Sequence, residues 1–456
     1  MDKIEELSEE ILTLLDEKKF LQVKDRLNEQ NPIDLAELLS ELPEERRPVL
    51  FRLLSKELAA EVFVEMDHDV QHALIQSFTD KELRDILNEM FLDDTVDLIE
   101  EMPANVVSRI IANTDAETRK WINEVLNYPD DSAGSIMTVE YVGLKADMTI
   151  ADAFATIKKT GVDKETVYTC YVTDKNRHLI GVVSVKDMLV TDKEFVSDIM
   201  ETNIISVNTL EDKEHVGEMF LEYGFLALPV VDAENRLVGI VTYDDAMDVI
   251  SEEAEEDIQV MAGITPNDDP YLKTSVFSLW KSRIPWLLLL MISATFTGII
   301  ITKFENALAA SVALTAFIPM LMDTGGNSGS QSSVTVIRGL SLKEVEFKDI
   351  FKVQWKELRV AFFCGITLAA ANFVKILIVD KWILKTPGLT FPVVSVVCLT
   401  LLVTVIIAKF IGCTLPIIAQ KLGFDPAVMA SPFITTVVDA VSLLVYFGFA
   451  EMILKL

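Results

Sequence analysis

Apolar positions fall every three or four residues from the N-terminus to about Pro129 and then, beyond Trp280, run together into long uninterrupted stretches. In DLAELLSELPEERRPVLFRLL, Leu35, Leu38, Leu39 and Leu42 share one helical face, and Val96, Ile99 and Met102 repeat that spacing ahead of Pro103. Short amphipathic runs separated by prolines and acidic breaks predict an all-α domain over residues 1–130, built as a degenerate helical repeat.

From residue 131 the period changes. SIMT at Ser135 is answered by DIME at Asp198, and LIGVVSVKDML at Leu179 by LVGIVTYDDAM at Leu237. In each copy a β-branched or aromatic run (Tyr171 and Val172; Val230 and Val231) passes through a polar turn to a Gly-hydrophobic-hydrophobic-Ser/Thr-x-x-Asp segment, which predicts strand, turn, strand and helix. The two copies, 131–197 and 198–250, resemble a tandem CBS pair. That resemblance implies a regulatory α/β module, and some such modules take adenine nucleotides such as ATP. Ser184 and Asp187, with Thr242 and Asp245, are the matching positions for contact with a ribose, although a hydroxyl and a carboxylate before a helix are also ordinary N-caps.

Residues 251–280 continue as an acidic connecting helix running to Pro266 and Pro270. Beyond it lie five apolar stretches, near 284–301, 307–322, 360–379, 391–418 and 427–454, several long enough to cross ~30 Å of hydrocarbon. Residues 281–456 thus read as a five-helix transmembrane pore domain. The N-terminal MDKIEELSEE shows no basic segment followed by an apolar one, so the N-terminal half is expected to stay in the cytosol. The basic cluster Arg338, Lys343, Lys348, Lys352, Lys356 and Arg359 belongs on that same side, which with five crossings puts the C-terminus outside an inner or plasma membrane.

Charge sharpens the division. Residues 271–456 hold 16 Lys+Arg against 10 Asp+Glu, leaving 24 against 61 for residues 1–270. Such a polyanionic half repels nucleic acid and anionic lipid and needs counter-cations to compact, so cations are the expected partner. Cys170, Cys364, Cys398 and Cys413 form no CxxC pair and read as packing residues. All four histidines (His68, His72, His178, His215) precede the spans, which argues against a path for soft transition metals. The spans offer no nucleophile with a base, so an enzyme is not expected.

Two features in the spans carry chemistry. Asp439 sits mid-span in SPFITTVVDAVSLLVYF, where a carboxylate costs roughly 2.5–3.5 kcal/mol, so it is either satisfied by Thr435, Thr436 or Ser442 or attends a passing cation. IPMLMDTGGNSGSQSS, with Pro319 and three glycines, reads as backbone that breaks at membrane depth and lines a water-filled path, or else as a loop outside the membrane. Its amides beside one carboxylate suit a hard, hydrated ion such as Mg²⁺.

With YPDDSAGSIMT, PMLMDTGGNSGSQSS and GCTLPIIAQKLGFDPAVMASPFITTVVDAVSLLVYF in hand, the whole chain resembles the MgtE-type magnesium channels and transporters. The resemblance implies a homodimer in the bilayer with a pore on its two-fold axis, Mg²⁺ import past Asp439, and Asn327 and Gln331 beside the pore. Asp245 and Asp248 at i,i+3, and Glu253 with Glu256 and Asp257 at i,i+3 and i,i+4, share helix faces and are expected to bind cytosolic Mg²⁺ that closes the pore; the resemblance adds Asp93, Asp97 and Asp425 as their partners. Asp323 departs from part of the family, and Lys409 reads as a snorkelling residue at the inner end of the fourth span. A carrier of Co²⁺ or Mn²⁺ and a non-conducting nucleotide sensor are the rival readings.

Overall fold

The computed structural model describes residues 3–161, 164–267 and 271–455; Pro270 lies outside them. Among the described residues, ten α-helices occupy the stretch from Lys3 to Val125. The apolar spacing in the sequence becomes their buried faces: Leu35, Leu38 and Leu39 on α3 (Pro32–Glu41), and Val96 and Ile99 on α8 (Leu92–Glu101), join one core running through the whole series. Arginines fasten successive repeats by taking up carbonyls at helix ends. Arg109 of α9 (Ala104–Asn113) donates to Ile75 O and Phe78 O at 2.6 Å each and to Asp80 at 3.0 Å, closing the C-terminus of α6 (His68–Ser77).

The next segment is a duplicated α/β module. In the first copy β1 (Val142–Leu144) pairs parallel with β2 (Thr169–Thr173), which pairs antiparallel with β3 (Leu179–Ser184); β4 (Val207–Asn208), β5 (Ala227–Val231) and β6 (Leu237–Thr242) repeat the order. Helices α11 (Ile150–Thr160) and α12 (Val185–Val190) belong to the first copy, α13 (Lys213–Tyr223) and α14 (Tyr243–Met261) to the second. Even the irregularities recur, with a register shift at Val172/Thr173 and again at Val230/Val231. The two copies exchange their leading segments. Met200 of DIME packs over Gly181 of the first sheet, while Met137 of SIMT packs over Gly239 of the second. Bridges Val182–Glu201 and Thr138–Ile240 fix both exchanges. A Cβ at Gly181 would fall 2.7 Å from Met200 Sδ, and one at Gly239 2.5 Å from Thr138 O, so both strands need glycine there.

The chain divides into two compact units, Met1–Ser251 and Glu252–Leu456. In the second, α15 (Val276–Lys303) is followed by a short helix α16 (Glu305–Ala310), a 3₁₀ segment (Val312–Phe317) and α17 (Ile318–Ser341). Then come α18 (Ile350–Lys375), which passes into a π-helical stretch (Ile376–Ile383), α19 (Phe391–Lys421) and α20 (Ser431–Leu454). Among the described residues, four helical stretches are long and apolar enough to cross a membrane: Val276–Lys303, Phe347–Ile383, Phe391–Lys421 and Pro426–Leu454.

The expected second span, 307–322, is corrected by this arrangement: that stretch holds the two short helices, and the long element begins at Ile318. Nor does the glycine-rich motif break the backbone. Residues 318–341 form one continuous helix, with Pro319 in its first turn where no N–H is needed. The glycines serve close approach instead. A Cβ on Gly325, Gly326 or Gly329 would lie 2.8, 2.8 and 2.6 Å from Thr404, Thr435 and Ile434 respectively, and Gly412 of α19 abuts the backbone of Gly329. This small-residue seam lets α17 sink between α19 and α20. All four cysteines are free thiols.

Candidate functional site

Asp439 lies half-buried on α20, with Oδ1 enclosed and without a hydrogen-bond partner. Two of the neighbouring hydroxyls are turned to backbone carbonyls of their own helix: Thr436 donates to Pro432 O at 3.0 Å and Ser442 to Val438 O at 2.7 Å. The charge that acts on it is another carboxylate, Asp323 of α17. Asn327 donates to Asp323 at 3.2 Å, and Asp323, Asn327 and Gln331 form an exposed polar stripe one turn apart along α17. These residues, with Thr324, Ser328, Phe363, Cys364, Thr367, Leu368 and Lys409, line a cavity of about 550 Å³ among α17, α18 and α19. The structure thus brings Asn327, Gln331 and Asp323 together on one face, with Asp439 beside Asp323.

Lys409 does not snorkel. It is 5% exposed, its Nζ donates to Ser332 Oγ at 3.2 Å, and it lies 4.0 Å from Glu357. Packing by α17 and α18 blocks the reach to an interface that its position near a helix end suggested.

A second acidic site lies in the first unit. Asp93 of α8 is 7% exposed. Burial, reinforced by Asp245, Asp94 and Glu165, drives its carboxyl well above the usual range. Burial and Asp245 push Asp94 up to about 7; burial with Asp94, Asp244 and Asp245 pushes Glu165 to about 8, and burial raises Asp245 to about 6. One of the Glu165 oxygens, Oε2, is enclosed without a partner. Three segments of the chain therefore converge carboxylates: the start of α8, the approach to β2, and the first turn of α14. Asp97 stands one turn on from Asp93 and is exposed, and Asp248 is exposed with its carboxyl raised by burial and by Asp244.

The second unit carries a smaller grouping. Burial, then Asp425 and Glu256, raises Asp257 to about 6, while Asp425 caps a short 3₁₀ helix by accepting from Ala427 N at 2.7 Å. Glu256 is exposed and Glu253 half-buried on the same helix. Among the described residues no three His, Cys, Asp or Glu side chains are arranged to chelate one ion. His68 and His72 engage different glutamines, Gln71 and Gln76, rather than a common site.

Asp94, Glu165, Asp244, Ser332 and Glu357 escaped the reading of the sequence. Asp94 was visible in the DD pair of FLDDTVD; Glu165 gave no local signal, since its partners come from α8 far before it in the chain and α14 far after it.

Between the two sheets a cleft of about 350 Å³ is lined by Tyr171, Ser184, Asp187, Asn203 and Phe225 among others. Ser184 donates to Asp187 at 2.6 Å and caps α12. Thr242 and Asp245, joined by a hydrogen bond of 2.6 Å, stand apart from that cleft, Thr242 buried and Asp245 within the acidic cluster.

A helical repeat domain, a duplicated CBS-like module and a bundle of spans with an unpaired acid define a multi-pass membrane transport protein. Models of an intracellular N domain and of CBS domains match residues 30–131 and 133–193 with 196–252, and a divalent cation transporter model matches residues 318–449. Magnesium transporters named MgtE from Thermus thermophilus and Bacillus subtilis are each 35% identical, over 99% and 98% of this chain and 99% and 97% of their own. The chain belongs to the MgtE family of divalent cation transporters. Its first half is also similar to solved structures: the soluble part of a magnesium transporter (31% identity, TM-score 0.52, 55% of this chain and 100% of that one) and the cytosolic domain of the Mg²⁺ channel MgtE in complex with ATP (36%, 0.51, 53% and 99%).

Proposed function

We propose that this protein conducts Mg²⁺ into the cell through a path built by α17 and α20, with two copies of the chain facing each other across it. The observation that carries this reading is the enclosed, unpartnered Oδ1 of Asp439 beside Asp323. A carboxylate at that depth needs compensation, and a hydrated divalent ion supplies it without stripping its water. The exposed stripe of Asp323, Asn327 and Gln331 supports the second copy, because amides and a carboxylate on a membrane helix must face water or protein rather than lipid. Permeation then proceeds by outer-sphere hydrogen bonds, loose enough to release the ion.

Regulation rests on the acid clusters. Asp93, Asp94, Glu165 and Asp245 in the first unit, and Asp257 with Asp425 in the second, are hard oxygen donors whose mutual repulsion strains the compact form. Among the described residues no three of them are set to chelate one ion, but taken in pairs their oxygens suit a divalent ion that keeps most of its water and bridges two carboxylates, which would supply charge neutralisation there. When cytosolic Mg²⁺ is plentiful the carboxylates hold their segments together and the closed state is favoured; when it falls, repulsion separates them. Asp97, Asp248, Glu253 and Glu256 extend both surfaces. Moving a gate from 1:99 to 99:1 takes about 5.5 kcal/mol, which several weak sites reach together. The Ser184–Asp187 cleft is the place for an adenine nucleotide such as ATP, supported by its open form and by the ATP complex of a similar domain.

The test is Mg²⁺ uptake into liposomes holding the purified chain, read with a fluorescent dye and repeated with Mn²⁺ and Co²⁺ as competitors. Uptake that disappears in Asp439→Ala supports the path; unchanged uptake rejects it. Preference for Mn²⁺ or Co²⁺ would instead make this a carrier of those ions.

A further inference from the structure

One buried charge pair in the membrane unit has no part in that scheme. Lys409 of α19, Ser332 of α17 and Glu357 of α18 meet where the three helices converge: Ser332 donates to Glu357 Oε2 at 2.5 Å and accepts from Lys409 Nζ at 3.2 Å. Ser332 is 1% exposed, and Glu357 is partly buried. Two ions removed from water gain little net stability from each other, and the best-attested role of such pairs is to fix register. Here the hydroxyl between them belongs to the helix that carries the polar stripe, directly following Gln331. The adjacent Ser333 donates to Met429 O at 2.7 Å, and Gly329 is wedged against Ile434 and Ala408. Residues 329–333 are thus gripped on three sides while Asn327 and Asp323 continue the stripe one and two turns before Gln331. Lys409 also forms part of the wall of the cavity lined by those three residues.

We propose that Lys409, Ser332 and Glu357 form a rotational clamp on α17, making them positioning residues that set where Asn327 and Gln331 face and so set the discrimination between Mg²⁺ and larger divalent ions. At about 100° per residue, a small turn of α17 swings those amides off the path while leaving the helix intact. Discrimination by hydrogen bonds to a hydrated ion depends on that orientation, whereas discrimination by the Asp439 charge alone does not.

The inference rests on the transport reading, and the experiment separates the two. Full-length native chain, Ser332→Ala and a Lys409→Met/Glu357→Gln double variant are reconstituted in liposomes. For each, Mg²⁺ flux is measured with the Ca²⁺ and Mn²⁺ concentrations that halve it, alongside thermal stability. Ser332→Ala leaves Lys409 and Glu357 free to pair directly, so the fold is kept while the hold on α17 is lost. The expected result is a native-like melting temperature, persisting Mg²⁺ flux, and at least a fivefold loss of discrimination against Ca²⁺ and Mn²⁺ in both variants. Native discrimination in Ser332→Ala overturns the clamp, and that variant decides alone if the double variant cannot be purified. Absence of Mg²⁺ flux in the native chain would instead sink the transport reading itself.

Discussion

At the level of single residues, the chemistry is that of carboxylates kept from water. Asp93, Asp94, Glu165 and Asp245 hold their protons more tightly in the folded unit than in an unfolded chain, where such groups titrate near pH 4. Folding therefore binds protons between roughly pH 4 and 8, and stability falls as pH rises through that window. The thermal transition of the first unit should drop between about pH 5 and pH 8, and Asp94→Asn with Glu165→Gln should flatten the slope; calorimetry on the full chain checks both. Removing Mg²⁺ with a chelator should lower the same transition more at pH 8 than at pH 5, because only ionised groups need the counter-charge. Asp439 was legible in the sequence because a lone acid in an apolar run stands out. Lys409 was misread because position along a helix does not reveal which neighbours pack over it, and its partners Ser332 and Glu357 come from two other helices, α17 and α18.

Among the elements, periodicity decided how much could be read. Three-and-four spacing identified the helices of the N-terminal domain, and the paired motifs identified the duplicated sheets, because each pattern is local. Helix α17 defeated the same reasoning. Glycine, serine and asparagine suggest a loop by intrinsic preference, yet they form a continuous 24-residue helix because tight packing against α19 and α20 outweighs the propensity cost of about 1 kcal/mol per glycine. Gly329→Ala adds one methyl 2.6 Å from Ile434 Cγ2 and 3.2 Å from Ala408 O. It should destabilise the membrane unit by about 1–3 kcal/mol, seen as a lower melting temperature in detergent with less monodisperse protein. In the first unit, Arg109→Ala should cost about 2 kcal/mol by stripping carbonyl partners from the end of α6, measured as a shift in the same transition used for the pH series.

For the molecule as a whole, the proposed path requires a second copy to face the exposed stripe on α17. With the native cysteines replaced, Asn327→Cys should cross-link between two chains under mild oxidation and run as a dimer on a non-reducing gel; a monomer band alone would count against a path shared by two copies. The charge division between the halves of the chain was plain in the sequence. How acids from α8, the approach to β2 and α14 gather was not, since no pattern within one element reports a meeting of three.

The crossed methionines of the duplicated module bear on how such a chain can change over time. Since Met137 roofs the sheet of the later copy and Met200 that of the earlier one, neither half carries its own lid. Deleting a single repeat would uncover the survivor, so loss or transplantation of this region is expected to happen only two repeats at once.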